Sequence, residues 1–514
     1  MIKKFIFAAA FLFAALGQTH AQYQADALLF SQQIYGSTSK SLSMGGALSP
    51  VGADLSVMAT NPAGLALFNS NQLSFTSNFM LNTAETDFLG NKRSEDRFGY
   101  SVDNLAFSFT KRNEGSEWKA VSFGLGYNRL NEYRMDVVAS GINNEGSIHD
   151  YYVYNANREA VLGPFREELA YEAYLINYDE DLNEHYSFIT DAGLYGERQR
   201  REDLTRGGKG EFDLSMAANY NDIISLGLTV GTQFLSYDKR MSFSEADYNE
   251  VYAMDGEGNQ VRMDPETMEF SETLITNGTG INVKAGIIMQ PIPLLRLSAA
   301  FHTKTLTSFQ EEYRTGMSSR FYTPDDNNNY SYFYDSDYNY FDWNLHQPRR
   351  FNAGAALILD QYQIGSFYTV PMTFSAEYEY VDYSSMHLKS GAADFDREND
   401  LIETMYKETH NLRGGAEFNF GRLKFRGGYA LYPSAYADDT GIMDNARTVY
   451  SGGLSFAGKN GYIDLAYSYS LAPQNLYMYD AQIYYPHDPI GDTPEPTADL
   501  TKKFQYITLT FGLR

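Results

Sequence analysis

The chain has no cysteine among its 514 residues, which removes disulfides, thiolate chemistry and cysteine metal sites from consideration. Beyond the first 21 residues no apolar run approaches the ~20 residues that a membrane-spanning helix needs, and mean hydropathy is −0.41. Positive charge is in deficit: 40 Lys and Arg face 65 Asp and Glu, a net charge of −25 with pI ≈ 4.7. That balance argues against a nucleic-acid partner and against targeting to anionic lipid. Catalytic signatures are missing too. No G-x-S-x-G, H-E-x-x-H or glycine-rich phosphate loop occurs, and the eight histidines are scattered without metal spacing. His302 with Ser298 is the one pair that a barrel hydrolase would use, and it has no third partner. The expectation is no enzyme, no cofactor and no metal.

Proline is sparse at 15, against 42 tyrosines and 34 phenylalanines. Abundant aromatics with glycine and alternation describe a β-rich chain with aromatic belts. Residues 1–21 read as a secretory signal: Lys3 and Lys4, an apolar run over 5–16, and Thr19-His20-Ala21 at the cleavage position.

From residue 71 onward the hydrophobic period is two. Val121, Phe123, Leu125 and Tyr127 oppose Ser122, Gly124, Gly126 and Asn128; Ile507, Leu509, Phe511 and Leu513 oppose Tyr506, Thr508, Thr510 and Gly512. About fourteen segments of roughly ten residues alternate in this way, an even number as a single-chain membrane barrel requires. Their connections sort by length. Gaps at 111–118, 221–222, 290–294, 360–371, 421–422 and 458–461 are short, while those at 135–210, 240–279, 304–346, 383–406 and 472–500 are long and polar. Short turns at one end and long loops at the other are a barrel property with no counterpart in a sandwich or propeller. The polar faces carry Lys284, Arg296, His302, Lys304, Arg350, Glu377, Glu379, Arg413, Glu417, Lys424, Arg426 and Asp464, so the lumen is expected to hold ion pairs of both signs. Within the loops, 165–178 has helical spacing. Asp335, Asp337 and Asn339 alternate like calcium ligands but lack the glycine and distal glutamate of a calcium loop, and read as a solvated acidic loop.

Between the signal and the first strand lies SLSMGGALSPVGADLSVMATNPAGLALF, residues 41–68. Pro62 biases Asn61 away from helix and starts the next turn, so 54–59 and 62–67 are expected as two short helical pieces hinged at Asn61. Gly-Gly-Ala, an Ala-Asp step and Asn61-Pro62-Ala63-Gly64, followed at once by strands, resembles the N-terminal hatch of the FadL/OmpP1/TodX family of outer-membrane transporters. The resemblance implies an all-β chain: a transmembrane antiparallel barrel over 71–514 with a hatch, residues 22–70, inside its lumen. It implies a monomer in the cell outer membrane, in contact with its lipid, that takes up hydrophobic small molecules such as long-chain fatty acids or aromatic hydrocarbons. Met241, Phe243, Met254, Met263, Phe270, Phe321, Phe333 and Trp343 in the long loops are the implied ligand-binding candidates. Gly124 and Gly126 in the third strand are the implied site of a lateral exit gated by the hatch. The amide of Asn61 is expected to bond both backbone and luminal charges as the fulcrum of the hatch. FadL-like barrels also serve as shuttles in type IX secretion, which leaves a secreted protein as an alternative partner. Two features depart from the family pattern: the end at Phe511-Gly-Leu-Arg514, and the enlarged loop after the third strand.

Overall fold

The computed structural model describes residues 23–514 except 159–160, 190–192, 194, 255–259, 322–329, 362, 365–366, 392–393, 438–445 and 480–495. The signal segment lies outside the described residues. Fourteen antiparallel strands close into one barrel. They are β1 (Gln72–Phe88), β2 (Asn91–Arg112), β3 (Trp118–Glu132), β4 (Arg198–Tyr220), β5 (Ile224–Ala246), β6 (Pro265–Ile292) and β7 (Leu295–His302). The second half is β8 (Arg350–Leu359), β9 (Met372–Asp382), β10 (Glu408–Phe420), β11 (Leu423–Tyr432), β12 (Arg447–Ala457), β13 (Gly461–Tyr477) and β14 (Thr497–Leu513). Each pairs with its sequence neighbour, and β14 returns to β1 with Leu513 opposite Leu73 and Phe511 opposite Phe75. Closure removes the two edges that an open sheet would leave unpaired.

The faces follow the sequence alternation. Phe107, Phe123, Leu125, Leu214, Tyr429, Tyr467 and Phe511 are exposed on the outside. Inside, Arg413 Nη2 lies 2.8 Å from Glu377, Arg350 3.3 Å from Glu379, and Arg426 2.7 and 2.9 Å from Glu417 and Asp464. Lys284 pairs with Glu211 and with Asp213, the latter at 3.0 Å. Truncating one partner of such a buried pair strands the other, at ~3–5 kcal/mol.

The lumen is filled by residues 23–68. Helix α1 (Tyr23–Ser31) leads to a single turn α2 (Ser39–Ser43), then two 3-10 turns, Leu55–Ala59 and Pro62–Leu67. Asp54 caps the first by accepting from Ser56 N at 2.9 Å, and Asn61 caps the second by accepting from Ala63 N at 3.2 Å. The two helical pieces expected on either side of Asn61 are therefore present, in the tighter 3-10 form.

Several strands run much longer than their alternating cores. β4 and β5 have 23 residues each and β6 has 28. Residues expected as loops extend the wall upward: Leu306–Phe321 and Asn339–His346 continue β7 and β8 beyond short breaks. In this upper wall the polarity inverts. Met241, Phe243, Met268, Phe270 and Met317 point inward, and Arg240 and Glu269 point out to solvent. The inward face packs on a cap of loop helices α3 (Ile148–Arg158) and α4 (Glu167–Glu172), the second inside the segment expected to be helical. A second core joins Ala27, Leu28 and Phe30 of α1 to Phe309, Trp343 and helix α5 (Asp396–Met405) through Ile402. Among the described residues no helix is long and apolar enough to cross a membrane.

Candidate functional site

The hatch is held where the wall has no side chains. Gly227 of β5 and Gly286 of β6 are register partners. A Cβ on Gly227 would meet Ala63 N at 2.2 Å, and one on Gly286 would meet Asn61 Oδ1 at 1.9 Å. The Asn61-Pro62-Ala63 backbone thus lies directly on this glycine pair, and Gly64 packs against Gly52 and Val57 inside the hatch. Asn61 Nδ2 donates to the carbonyls of Ile287 and Ala299 at 3.3 and 3.5 Å, the backbone half of the expectation, and among the described residues its side chain makes no hydrogen bond to a luminal charge. A second glycine pair, Gly415 and Gly428, receives Met44 and Gly45. Polar and charged groups complete the seat: Ser49 Oγ donates to Glu377 at 2.7 Å, and Arg296 and His302 reach the carbonyls of Val51 and Thr60 at 2.8 and 2.6 Å. At the C-terminus of α1, Lys209 Nζ donates to the carbonyls of Phe30 and Gln32 at 2.7 and 2.8 Å, while Arg350 donates to that of Ser31 at 2.7 Å. Cations at this end also complement the helix dipole.

The β2–β3 ladder leaves a seam in the wall. β2 pairs with β3 from Arg112↔Ala120 up to Asn104↔Asn128, where the ladder stops; above it, Asn91–Val102 pair only with β1. Asp103 is the extra residue of a β-bulge, since Thr76 faces Asn104 and Ser77 faces Val102. Leu130 is extra on β3, between Arg129↔Gly210 and Asn131↔Lys209. Bulges re-aim side chains and bend the strand that carries them. Beyond β3 the chain continues as strand Met135–Ile142, which pairs with β4. The carbonyls of Arg134 and Val138 there accept from Asn82 and Thr86 on the inner face of β1, at 2.7 and 2.6 Å. The chain has turned inward and left β2 without a wall partner.

Two cavities meet at this seam. One, of about 200 Å³, lies in the lumen above the hatch, lined by Leu29, Ile34, Met135, Tyr432 and Phe504 with Arg447 and Lys502. The other, about 370 Å³, opens in the wall over Tyr127, Arg129, Phe212, Phe234 and the glycines Gly207, Gly208 and Gly210. Glu132 and Arg134 line both. Lys502 makes no hydrogen bond or ion pair among the described residues, and Arg447 stacks on Phe504 at 4.2 Å.

The architecture matches solved structures at low identity. A FadL homologue of Pseudomonas aeruginosa superposes with TM-score 0.51 and 13% identity, over 94% of this chain and 99% of that one. The toluene transporter TodX of P. putida gives 0.50 and 11%, over the same shares. The fold is that of the FadL/TodX channels. No family model and no curated protein matches the sequence. The FadL-type fold therefore rests on shape, and the residues that follow are this chain's own.

Within the FadL-type barrel the expected residues do not gather at one place. Gly124 and Gly126 face inward where the ladder is intact on both sides, against Met58 and Leu65 of the hatch, one step below the seam. Met241, Phe243 and Phe270 are buried under the cap, and Trp343 stacks on Phe309 at 4.4 Å beside Phe30. Phe333 is exposed, Phe321 and Met263 are half-buried, and Met254 ends the short strand Tyr252–Met254. Asp335 is taken up in an ion pair with Arg314. Asp103, Arg129, Glu132, Lys209, Arg447 and Lys502 were missed. The run Arg206-Gly-Gly-Lys-Gly210 inside a strand was the signal that marked the spot, since glycine there leaves a wall without side chains.

Proposed function

We propose that the chain is an outer-membrane channel for hydrophobic small molecules bearing an anionic head group, with fatty acids as the leading class. The lining of the lumen cavity carries this reading. The apolar and aromatic part of the wall, Leu29, Ile34, Met135, Tyr432 and Phe504, suits an acyl chain beside a polar part that includes Gln32, Gln33, Asn131 and Asn411. Arg447 and Lys502 offer charge-assisted hydrogen bonds to a carboxylate. An aromatic hydrocarbon would leave Lys502 without a hydrogen-bond partner, whereas Arg447 already donates to Ser470 Oγ at 3.1 Å and stacks on Phe504. In this reading cargo enters through the cap, binds above the hatch and leaves sideways where the two cavities share Glu132 and Arg134. The long-loop end is then the outer surface, and the chain works as a monomer.

Solvent extraction of protein purified in a mild detergent, followed by mass spectrometry, tests the ligand class. Fatty acids at near-stoichiometric amounts are expected. Dodecanoate should bind, and Lys502→Gln should weaken it about tenfold or more, the loss of one charge-assisted bond worth ~1.5–3 kcal/mol. Equal affinity for dodecanoate and dodecane would overturn the anionic head group. Recovery of a secreted protein in place of lipid would favour the shuttle role.

A further inference from the structure

Where the β2–β3 ladder stops, side chains hold the seam. Arg129 Nε lies 3.4 Å from Asp103 Oδ1 across the break, and Nη1 lies 2.9 Å from Glu132 Oε2 on its own strand. The bulge turns Asp103 toward the seam, with Ser101 Oγ donating to it at 2.5 Å. Below the clasp, Asn104 Nδ2 donates to Asn128 Oδ1 at 2.8 Å, the last cross-strand link before the break. The inner side is lined by hatch: Ile34 N donates to the carbonyl that the bulge at Leu130 sets free, at 2.9 Å, and Ser37 Oγ donates to Asn128 at 2.8 Å.

We propose that Arg129 is the latch of this seam, a positioning residue that keeps β2 against β3 until an arriving anion takes over its guanidinium. Three observations converge on it. It bridges the break in backbone pairing at its lower end, with Arg97 of β2 pairing to Asp136 at 3.4 Å higher up. Its side chain lines the wall cavity and lies over Gly208, where a Cβ would meet Nη1 at 2.2 Å, so it moves without displacing any side chain of β4. Its Nε is buried with no hydrogen bond of its own, a donor held near Asp103 but not committed to it. A guanidinium presents five donors in a planar fork that matches a carboxylate bidentately, so a cargo head group competes with Asp103 on geometry as well as charge. The trigger rests on the function proposed above; the latch does not.

The absence of native cysteine makes the test direct. Spin labels at Phe98→Cys on β2 and Arg240→Cys on β5, both exposed, straddle the seam, and the inter-label distance is read by double electron–electron resonance in lipid nanodiscs. Arg129→Gln should shift the distance outward by several ångströms or broaden it to an open population. Asp103→Asn should do the same, and Arg129→Lys should stay near the parent. Heat-modifiable gel mobility confirms a folded barrel for each. Adding dodecanoate should widen the parent and leave Arg129→Gln unchanged. Distances in folded Arg129→Gln and Asp103→Asn that match the parent overturn the latch, whatever the chain carries. Widening by both variants with no response to dodecanoate supports the latch and overturns the anionic cargo.

Discussion

At the level of single residues, glycine positions decide where the hatch can sit. Gly286→Val puts side-chain carbon into the space of Asn61 Oδ1, so the Asn61-Pro62 turn must lift from the wall. The strands keep their ladder, and the loss is confined to buried hydrogen bonds of Asn61, ~1–3 kcal/mol for each group left unsatisfied. Planar-bilayer conductance of the folded variant is expected to rise above the parent. Unchanged conductance would mean the turn does not seal the lumen. Leu509 and Thr508 make a second pair. Leu509 faces the outside, and Thr508 is fully buried, its carbonyl accepting from Ser39 Oγ at 2.9 Å. Leu509→Arg should cost ~2–4 kcal/mol of folding stability in a bilayer if it lies near mid-membrane, with the hatch untouched. Thr508→Arg should instead drive α2 off the wall and raise leakage, because the lumen at that height is packed with hatch and not with water. Urea titration in liposomes and conductance together separate the two effects.

Among elements, the cap has a stability that depends on pH. Glu245, at the upper end of β5, accepts from Ser147 Oγ, Ile148 N, Tyr248 OH and Gln199 Nε2 at 2.6 to 2.9 Å, and so seats the start of α3. Burial pushes its carboxyl up to about 7, and burial with the neighbouring Glu245 charge pushes Glu197 up to about 8. His149 on α3, buried against the Leu175 carbonyl, Ser187 and Tyr248, is held down at about 4; Asp150 faces Tyr195. Both raised carboxyls bind more protons folded than unfolded, so their contribution is lost as pH rises through about 7 and 8. His149 works the other way, but only between about 4 and its ordinary 6.5. From pH 6.5 to 8 the carboxyls act alone. Hydrogen exchange of α3, corrected for intrinsic rates, should quicken over that window, and Glu245→Gln should flatten the rise; a flat parent profile would refute the assignment. The same region shows why sequence reading stopped short. Alternation located all fourteen strands where lipid lies outside and polar lumen inside. In the upper wall the outside is water and the inside is the cap, so Met241, Phe243, Met268 and Phe270 alternate in the opposite phase and read as loop. The helix α3 was not expected because its apolar face is mostly tyrosine, Tyr151 and Tyr152 among polar neighbours. The hatch turns were legible because Asn-Pro fixes local geometry. The seam was not, because a bulge depends on the register between two strands, which one strand's sequence does not carry.

For the whole molecule, loop sorting fixes direction. An epitope inserted at Asn144 or Ser390 should be labelled on intact cells, and one at the two-residue turn Asn221-Asp222 should be labelled only after the outer membrane is opened. Labelling of the turn on intact cells would invert the barrel. The upper wall has a further consequence. At ~3.4 Å per residue the 28 residues of β6 span roughly 95 Å of contour, and a tilt of ~40° leaves about 70 Å of height. The hydrocarbon layer takes up ~25 Å of that. On the side of β4, β5 and β6 the wall is therefore a chimney standing clear of the bilayer, while β11 and β12, with 10 and 11 residues, are only long enough to cross it. In the orientation and role proposed above, a mouth raised on that side would meet hydrophobic cargo beyond the hydrated sugar layer of a cell surface. In that role the chimney turns the crossing of the sugar layer from a solubility problem into a path along protein.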